Sequence, residues 1–189
     1  MRRRQDDVEA PLRVLFVCTA NISRSPYAER RAAQLAENSG LQVASAGIPG
    51  YPGRGMDPEM GHQLRERGGE PNGHVSRSVT NSVLTETDLV ITHEYVHRLR
   101  ITSSFPEHAI KVFGLHQLAD SIAALEAPER GLALLDQVYS QAVSDGMQRD
   151  VADPYKRGRA AARACALEID EALAVIVPVL AGIPAVLSD

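Results

Sequence analysis

The chain has little cysteine, almost no lysine and no apolar run long enough to cross a bilayer, and each shortage excludes something. Two cysteines in 189 residues, Cys18 and Cys165, cannot build a disulfide framework. With no export signal after Met1-Arg2-Arg3-Arg4, they are expected to stay reduced, and the compartment to be cytoplasmic. The most apolar stretch, Leu173 to Leu187, is broken by Pro178 and Pro184 and reads as the end of a core helix rather than a membrane span. An excess of positive charge is also missing. The net charge is −4 and the pI about 5.9, so nothing in the overall balance points to nucleic acid or an anionic membrane, and any anion site must be local. Of the 20 basic residues only Lys111 and Lys156 are lysine, an arginine bias that suggests a GC-rich, bacterial source. No internal repeat or low-complexity tract occurs.

What is present is enough for one well-buried core: 44% of the residues are hydrophobic. Residues 1–10 read as a flexible tail and residues 11–189 as a single domain. Leu12 to Val17 is a short apolar run of the kind buried on both faces of a parallel sheet. Pro26 opens a helix over Tyr27 to Asn38, with Pro at its first position and Gly40 as the stop. Further strands are predicted at Leu41 to Ala46, Asp88 to Thr92 and Ala109 to Phe113. Helices are predicted from Pro58 to Arg67 behind an Asp57 cap, over Leu115 to Ser121 and Leu132 to Val143, and from Arg157 to Leu180. Strands alternating with helices give an α/β, doubly wound fold: a mainly parallel four-stranded sheet with helices on both faces.

The chemistry is concentrated in Cys18-Thr19-Ala20-Asn21-Ile22-Ser23-Arg24-Ser25, which runs from the end of a strand to the start of a helix. A loop so placed turns successive N–H groups inward. The helix N-terminus adds the positive end of its dipole, and together they form a cradle for a tetrahedral dianion. The same field stabilises a thiolate, the nucleophilic form of cysteine, and the planar fork of Arg24 can grip two phosphoryl oxygens. A cysteine and an arginine at this spacing also occur by chance; the strand before and Ser25-Pro26 after give the pair its meaning.

This segment closely resembles the phosphate-binding loop of the low-molecular-weight protein tyrosine phosphatases. Ser45-Ala46-Gly47 with Tyr51, His74-Val75-Ser76-Arg77 and Asp153-Pro154-Tyr155 match that family in order, over roughly residues 12–180. The resemblance implies a phosphotyrosine phosphatase I-like fold without a cofactor, acting on a phosphorylated protein or small phosphate monoester. Cys18 would be the nucleophile, Arg24 the clamp, and Asp153 the general acid that later activates water. Asn21 would hold a left-handed conformation, Ser25 would donate to the Cys18 thiolate, Ser45 and His74 would brace Asn21 and Ser25, and Tyr51 and Tyr155 would form aromatic walls. Without the resemblance, Asp153-Pro154-Tyr155 is ordinary turn chemistry, His74 an ordinary histidine, and the tyrosines amphipathic packing.

Several positions depart from the family. Ala20 stands where glycine is usual and is expected to narrow or strain the loop, and Ser23 replaces a second cysteine that could protect the nucleophile. Lys156 makes the rim more basic, Thr92-His93 stands where Met-Asp is usual, and residues 114–150 look long. His93-Glu94-Tyr95-Val96-His97 fits H-E-x-x-H, a helical zinc pattern, but follows a predicted strand and lacks a third ligand at metzincin-like spacing; no metal is expected. An arsenate reductase would need cysteines between residues 70 and 105, and none is there. A non-catalytic phosphoprotein-binding module would have lost Cys18 or Asp153. A phosphatase of small metabolites is the serious rival. The oligomeric state is left open.

Overall fold

The computed structural model describes residues 11–37 and 39–182; the predicted tail and the last part of the Leu173 to Leu187 run lie outside them. Four strands, β1 (Leu12–Cys18), β2 (Leu41–Gly47), β3 (Leu89–Thr92) and β4 (Val112–Gly114), form one sheet in the order β2-β1-β3-β4. Every pairing is parallel. Among the described residues seven α-helices flank it: α1 (Arg24–Leu35), α2 (Pro58–Glu66), α3 (Asn81–Thr85), α4 (Tyr95–Ser104), α5 (Leu115–Ala123), α6 (Leu132–Gln141) and α7 (Gly158–Leu180).

The central strand shows why the fold closes on both sides. Val14 and Phe16 of β1 pack into a core with α1, α2, α5, α6 and α7. Leu15 and Val17, pointing the other way by the two-residue period of a strand, pack with Leu84 of α3 and Ile101 of α4. A strand buried on both faces has to be apolar throughout, which is why Leu12 to Val17 shows no alternation. Helix α7 is tied to α1 and α2 by Asp170, whose carboxylate accepts from the Tyr27 hydroxyl at 3.0 Å, from Arg31 Nε at 3.0 Å and from Arg67 Nε. Burial and the Asp170 charge push the Tyr27 phenol well above its ordinary range, so it remains a donor.

Several boundaries differ from those read in the sequence and the short helix α3 was not read at all; two of the shifted starts have a clear physical reason. Helix α1 begins at Arg24, with Ser23 as its N-cap, so Pro26 is the third helical residue rather than the first. Proline is tolerated there because N–H groups of the first turn have no intrahelical acceptor in any case. The fourth strand begins at Val112 because Pro106–Lys111 is wound into a 3₁₀ turn. Lys111 Nζ pins that turn by donating to the carbonyls of Leu84 at 2.6 Å and Thr87 at 2.7 Å. The Asp57 cap is as the sequence suggests, with Oδ1 accepting from the N–H groups of Glu59 and Met60 at 3.2 and 3.1 Å.

The order β2-β1-β3-β4 also locates the site. From β1 the chain moves to β2 on one side, then crosses back to β3 on the other. Their C-terminal ends open a crevice at this switch point, where α/β sheets bind ligands. Cys18 is the last residue of β1.

Candidate active site

The loop from Cys18 to Ser25 is held from beneath by Asn21. Its backbone is left-handed, with φ of 59°, a conformation asparagine tolerates better than most residues. All of its side-chain hydrogen-bonding capacity except one acceptor lone pair is engaged. Nδ2 donates to Ser45 Oγ at 2.8 Å and Ser25 Oγ at 3.1 Å, and Oδ1 accepts from the Arg77 N–H at 2.9 Å. His74 Nε2 donates to the Asn21 carbonyl at 2.7 Å. Ser45 and His74 thus both bond to Asn21, which itself reaches Ser25. Because Ser25 Oγ accepts from Asn21, its own proton is left for Cys18 Sγ at 3.0 Å or the Ala46 carbonyl at 3.3 Å.

Gly47, at the end of β2, lies so close to the loop that a β-carbon there would meet the Thr19 carbonyl oxygen at 2.8 Å and Ala20 C at 2.9 Å. Only glycine lets the two backbones approach this way. Ala20 itself has no positive φ, so its methyl group lines the cavity without left-handed strain.

Arg24 is 1% exposed and reads three elements at once. Nη1 donates to the Val151 carbonyl at 2.7 Å and to Glu94, and Nη2 lies 3.5 Å from Asp153 Oδ1, while Nε has no protein partner among the described residues. Burial opposes the guanidinium charge. The negative fields of Cys18, Asp153 and Glu94 outweigh it, and the pKa is raised above its ordinary value. A cavity of about 250 Å³ brings together Cys18, Thr19, Arg24, Arg54 and Asp153, with Ala20, Ile22, Tyr51 and Tyr155 on its walls. Tyr51 is half exposed and held through its carbonyl, which accepts from Ser76 Oγ at 2.6 Å. Lys156, in a left-handed conformation, lays its ammonium 5.3 Å from the Tyr155 ring centroid instead of reaching freely into the rim.

The H-E-x-x-H stretch has a different geometry from the zinc pattern. His93 directly follows β3, and α4 starts only at Tyr95, so the two histidines do not share a helix face. His93 Nδ1 donates to the Val17 carbonyl at 2.9 Å, and burial pushes its pKa down to about 3. Glu94 pairs with Arg24, and His97 Nε2 meets Thr19 Oγ1 at 2.8 Å. Among the described residues no cluster of three or more histidine, cysteine or acidic side chains could hold a metal. Cys165 is buried in α7, where burial pushes its thiol up to about 12.

Glu94, His97, the Val151 carbonyl, Ser76 and Arg77 were not read from the sequence as parts of this site. A signal existed for one pair: an N-cap residue followed three positions later by a side chain able to reach back is a helix-start signature, and Glu94-x-x-His97 has that spacing. Ser76 and Arg77 lay within the matching His-Val-Ser-Arg stretch.

A parallel sheet with a cysteine-to-arginine loop at a strand end, facing a carboxylate across a small cavity, is the arrangement of the cysteine-dependent phosphatases. The family described as low molecular weight phosphotyrosine protein phosphatase matches residues 13–129. A protein-arginine-phosphatase of Bacillus subtilis is 36% identical over 106 residues, covering 55% of this chain and 70% of that protein. The low molecular weight protein-tyrosine-phosphatase Wzb of Escherichia coli K12 is 34% identical over 99 residues, covering 52% of this chain and 66% of that protein. A solved structure of the arginine phosphatase YwlE, a cysteine-to-serine mutant with its active-site serine phosphorylated, superposes with a TM-score of 0.72 at 26% identity, covering 88% of this chain and 93% of that one. The chain belongs to the low molecular weight phosphotyrosine protein phosphatase family.

Proposed function

We propose that this protein hydrolyses phosphotyrosine in proteins through a phosphocysteine intermediate, with Cys18 as nucleophile, Arg24 as clamp and Asp153 as acid and then base. The observation that carries the reading is the meeting of all three side chains in one cavity. Cys18 Sγ attacks phosphorus as the bond to the tyrosine oxygen breaks, and that oxygen takes its proton from Asp153. In the second step the Asp153 carboxylate accepts a proton from water as the water oxygen displaces sulfur and inorganic phosphate leaves. Arg24 Nε, without a partner among the described residues, and the uncapped N-terminus of α1 face the developing charge on the phosphoryl oxygens. Thr19 to Ser23 form the loop around them, with Ser25 beneath Cys18 and Ser45 and His74 holding Asn21.

Two other substrates compete. The relative named as an arginine phosphatase makes phosphoarginine one of them, but a guanidinium leaving group calls for acidic partners, and among the described residues Asp153 is the one carboxylate lining the cavity while Arg54 stands on its wall. A small phosphorylated metabolite would leave Ile22, Tyr51 and Tyr155 with nothing apolar to cover. The arginine-rich composition and the bacterial relatives support a bacterial, cytoplasmic setting; among the described residues no helix is long and apolar enough to cross a membrane. Comparing kcat/KM on phosphotyrosine peptides, phosphoarginine peptides and sugar phosphates tests the assignment. A phosphotyrosine preference is expected, and a higher value on either other class would overturn it.

A further inference from the structure

Thr19 is a loop residue whose side chain the mechanism above leaves without a task, and its hydrogen bonding can be worked out from His97. The His97 ring is fully buried at the start of α4. Its Nδ1 lies 3.1 Å from the backbone nitrogen of Glu94. A backbone N–H can only donate, so Nδ1 accepts and carries no proton. A neutral imidazole then carries its single proton on Nε2, the nitrogen 2.8 Å from Thr19 Oγ1. His97 therefore donates and Thr19 accepts.

The charged groups facing His97 agree with a neutral ring. Arg24 and Arg100 add positive field to the effect of burial, and the pKa is pushed down to about 3. Glu94 Oε1, at 3.8 Å from Nε2, is farther than the threonine oxygen. A protonated ring would also set a second N–H against that of Glu94.

A threonine hydroxyl has one proton to give. With its oxygen engaged by His97, that proton must go to another acceptor, and none is recorded for it among the described residues. Thr19 lines the same cavity as Cys18, Arg24 and Asp153. We propose that the Thr19 hydroxyl donates to an oxygen of the bound phosphoryl group, and that His97 is a positioning residue which fixes the direction of that donation. The inference rests on the phosphatase reading above. A donor turned by an imidazole before substrate arrives needs no reorientation when charge develops.

The test uses competitive inhibition by inorganic phosphate together with kcat and KM on an aryl phosphate, for wild type, Thr19→Val, Thr19→Ser, His97→Ala, His97→Gln and the Thr19→Val/His97→Ala double variant. Thr19→Val keeps the shape and loses the proton, and should weaken phosphate inhibition by about tenfold, the scale of one hydrogen bond to a charged group. Thr19→Ser should stay within about twofold of wild type. His97→Ala should weaken inhibition, and adding it to Thr19→Val should cost nothing further, because its effect passes through that hydroxyl. His97→Gln should restore binding, since its amide can accept from the Glu94 N–H and donate to Thr19 as the imidazole does. Thermal melts confirm that each variant is folded, and His97→Gln keeps the test open should His97→Ala not fold. A folded Thr19→Val that binds phosphate like wild type, or fully additive losses in the double variant, would overturn the proposal alone. A wild-type protein that neither turns over aryl phosphates nor is inhibited by phosphate would overturn the functional reading and this inference with it.

Discussion

The two walls of the active-site cavity are built on opposite principles. On one side, residues 18–25 are buried or nearly so and tied down: Asn21 is wholly buried, engages three partners through its side chain and accepts from His74 through its carbonyl. On the other, the Asp153 side chain is 43% exposed and held by a 3.5 Å contact to Arg24 and a 3.4 Å hydrogen bond from the Tyr155 N–H. The difference suits the roles proposed for them. A cradle for a dianion gains most when its donors are aimed before charge develops, which favours a rigid and dry setting. A group that gives a proton in one step and takes one from water in the next has to meet solvent between them.

Substitutions can break this contrast, and the largest effect should come from the rigid wall. Cys18→Ser should abolish turnover of an aryl phosphate while inorganic phosphate still binds, as followed by calorimetry, because the cradle of N–H groups remains; substantial turnover would contradict a cysteine nucleophile. Asp153→Ala should lower kcat by about 10²-fold to 10³-fold on a phosphate ester with a poor leaving group and far less on one with a good leaving group. Equal losses on the two esters would remove Asp153 from the acid role. The smallest effect separates rigidity from chemistry. Asn21→Ala should cost about 1–3 kcal/mol in denaturant unfolding, from stranded partners and an unfavourable left-handed alanine, whereas Asp153→Ala should leave unfolding nearly unchanged.

The rigid wall was also the more legible. Its chemistry lies in eight consecutive residues, so a strand, an asparagine able to turn left-handed and a helix start could be read in line, and the resemblance added Ser45 and His74. The misplaced start of α1 shows the limit of local signals: Pro26 suits any first-turn position, and the short loop decided which. The fourth strand was misread for a similar reason, since Lys111 is held by carbonyls of Leu84 and Thr87 more than 20 residues away. His93, Glu94 and His97 have the spacing of a zinc pattern, which the strand predicted up to Thr92 already argued against, but the partners they do have could not be read from spacing.

Sequence alone determined the class of chemistry, because a thiol, an arginine fork and a helix start act over distances that one turn of chain sets. It also determined the parallel sheet, because strands buried on both faces must be apolar throughout. Only the tertiary structure decided which groups converge on Arg24. Glu94, Val151 and Asp153 reach it from 70, 127 and 129 residues along the chain, brought there by the crossing from β2 to β3 and the docking of the 151–155 loop. The direction of the His97–Thr19 bond was likewise a matter of tertiary structure. It depends on which ring nitrogen meets the Glu94 N–H, and packing between α4 and the phosphate loop settles that where residue order cannot.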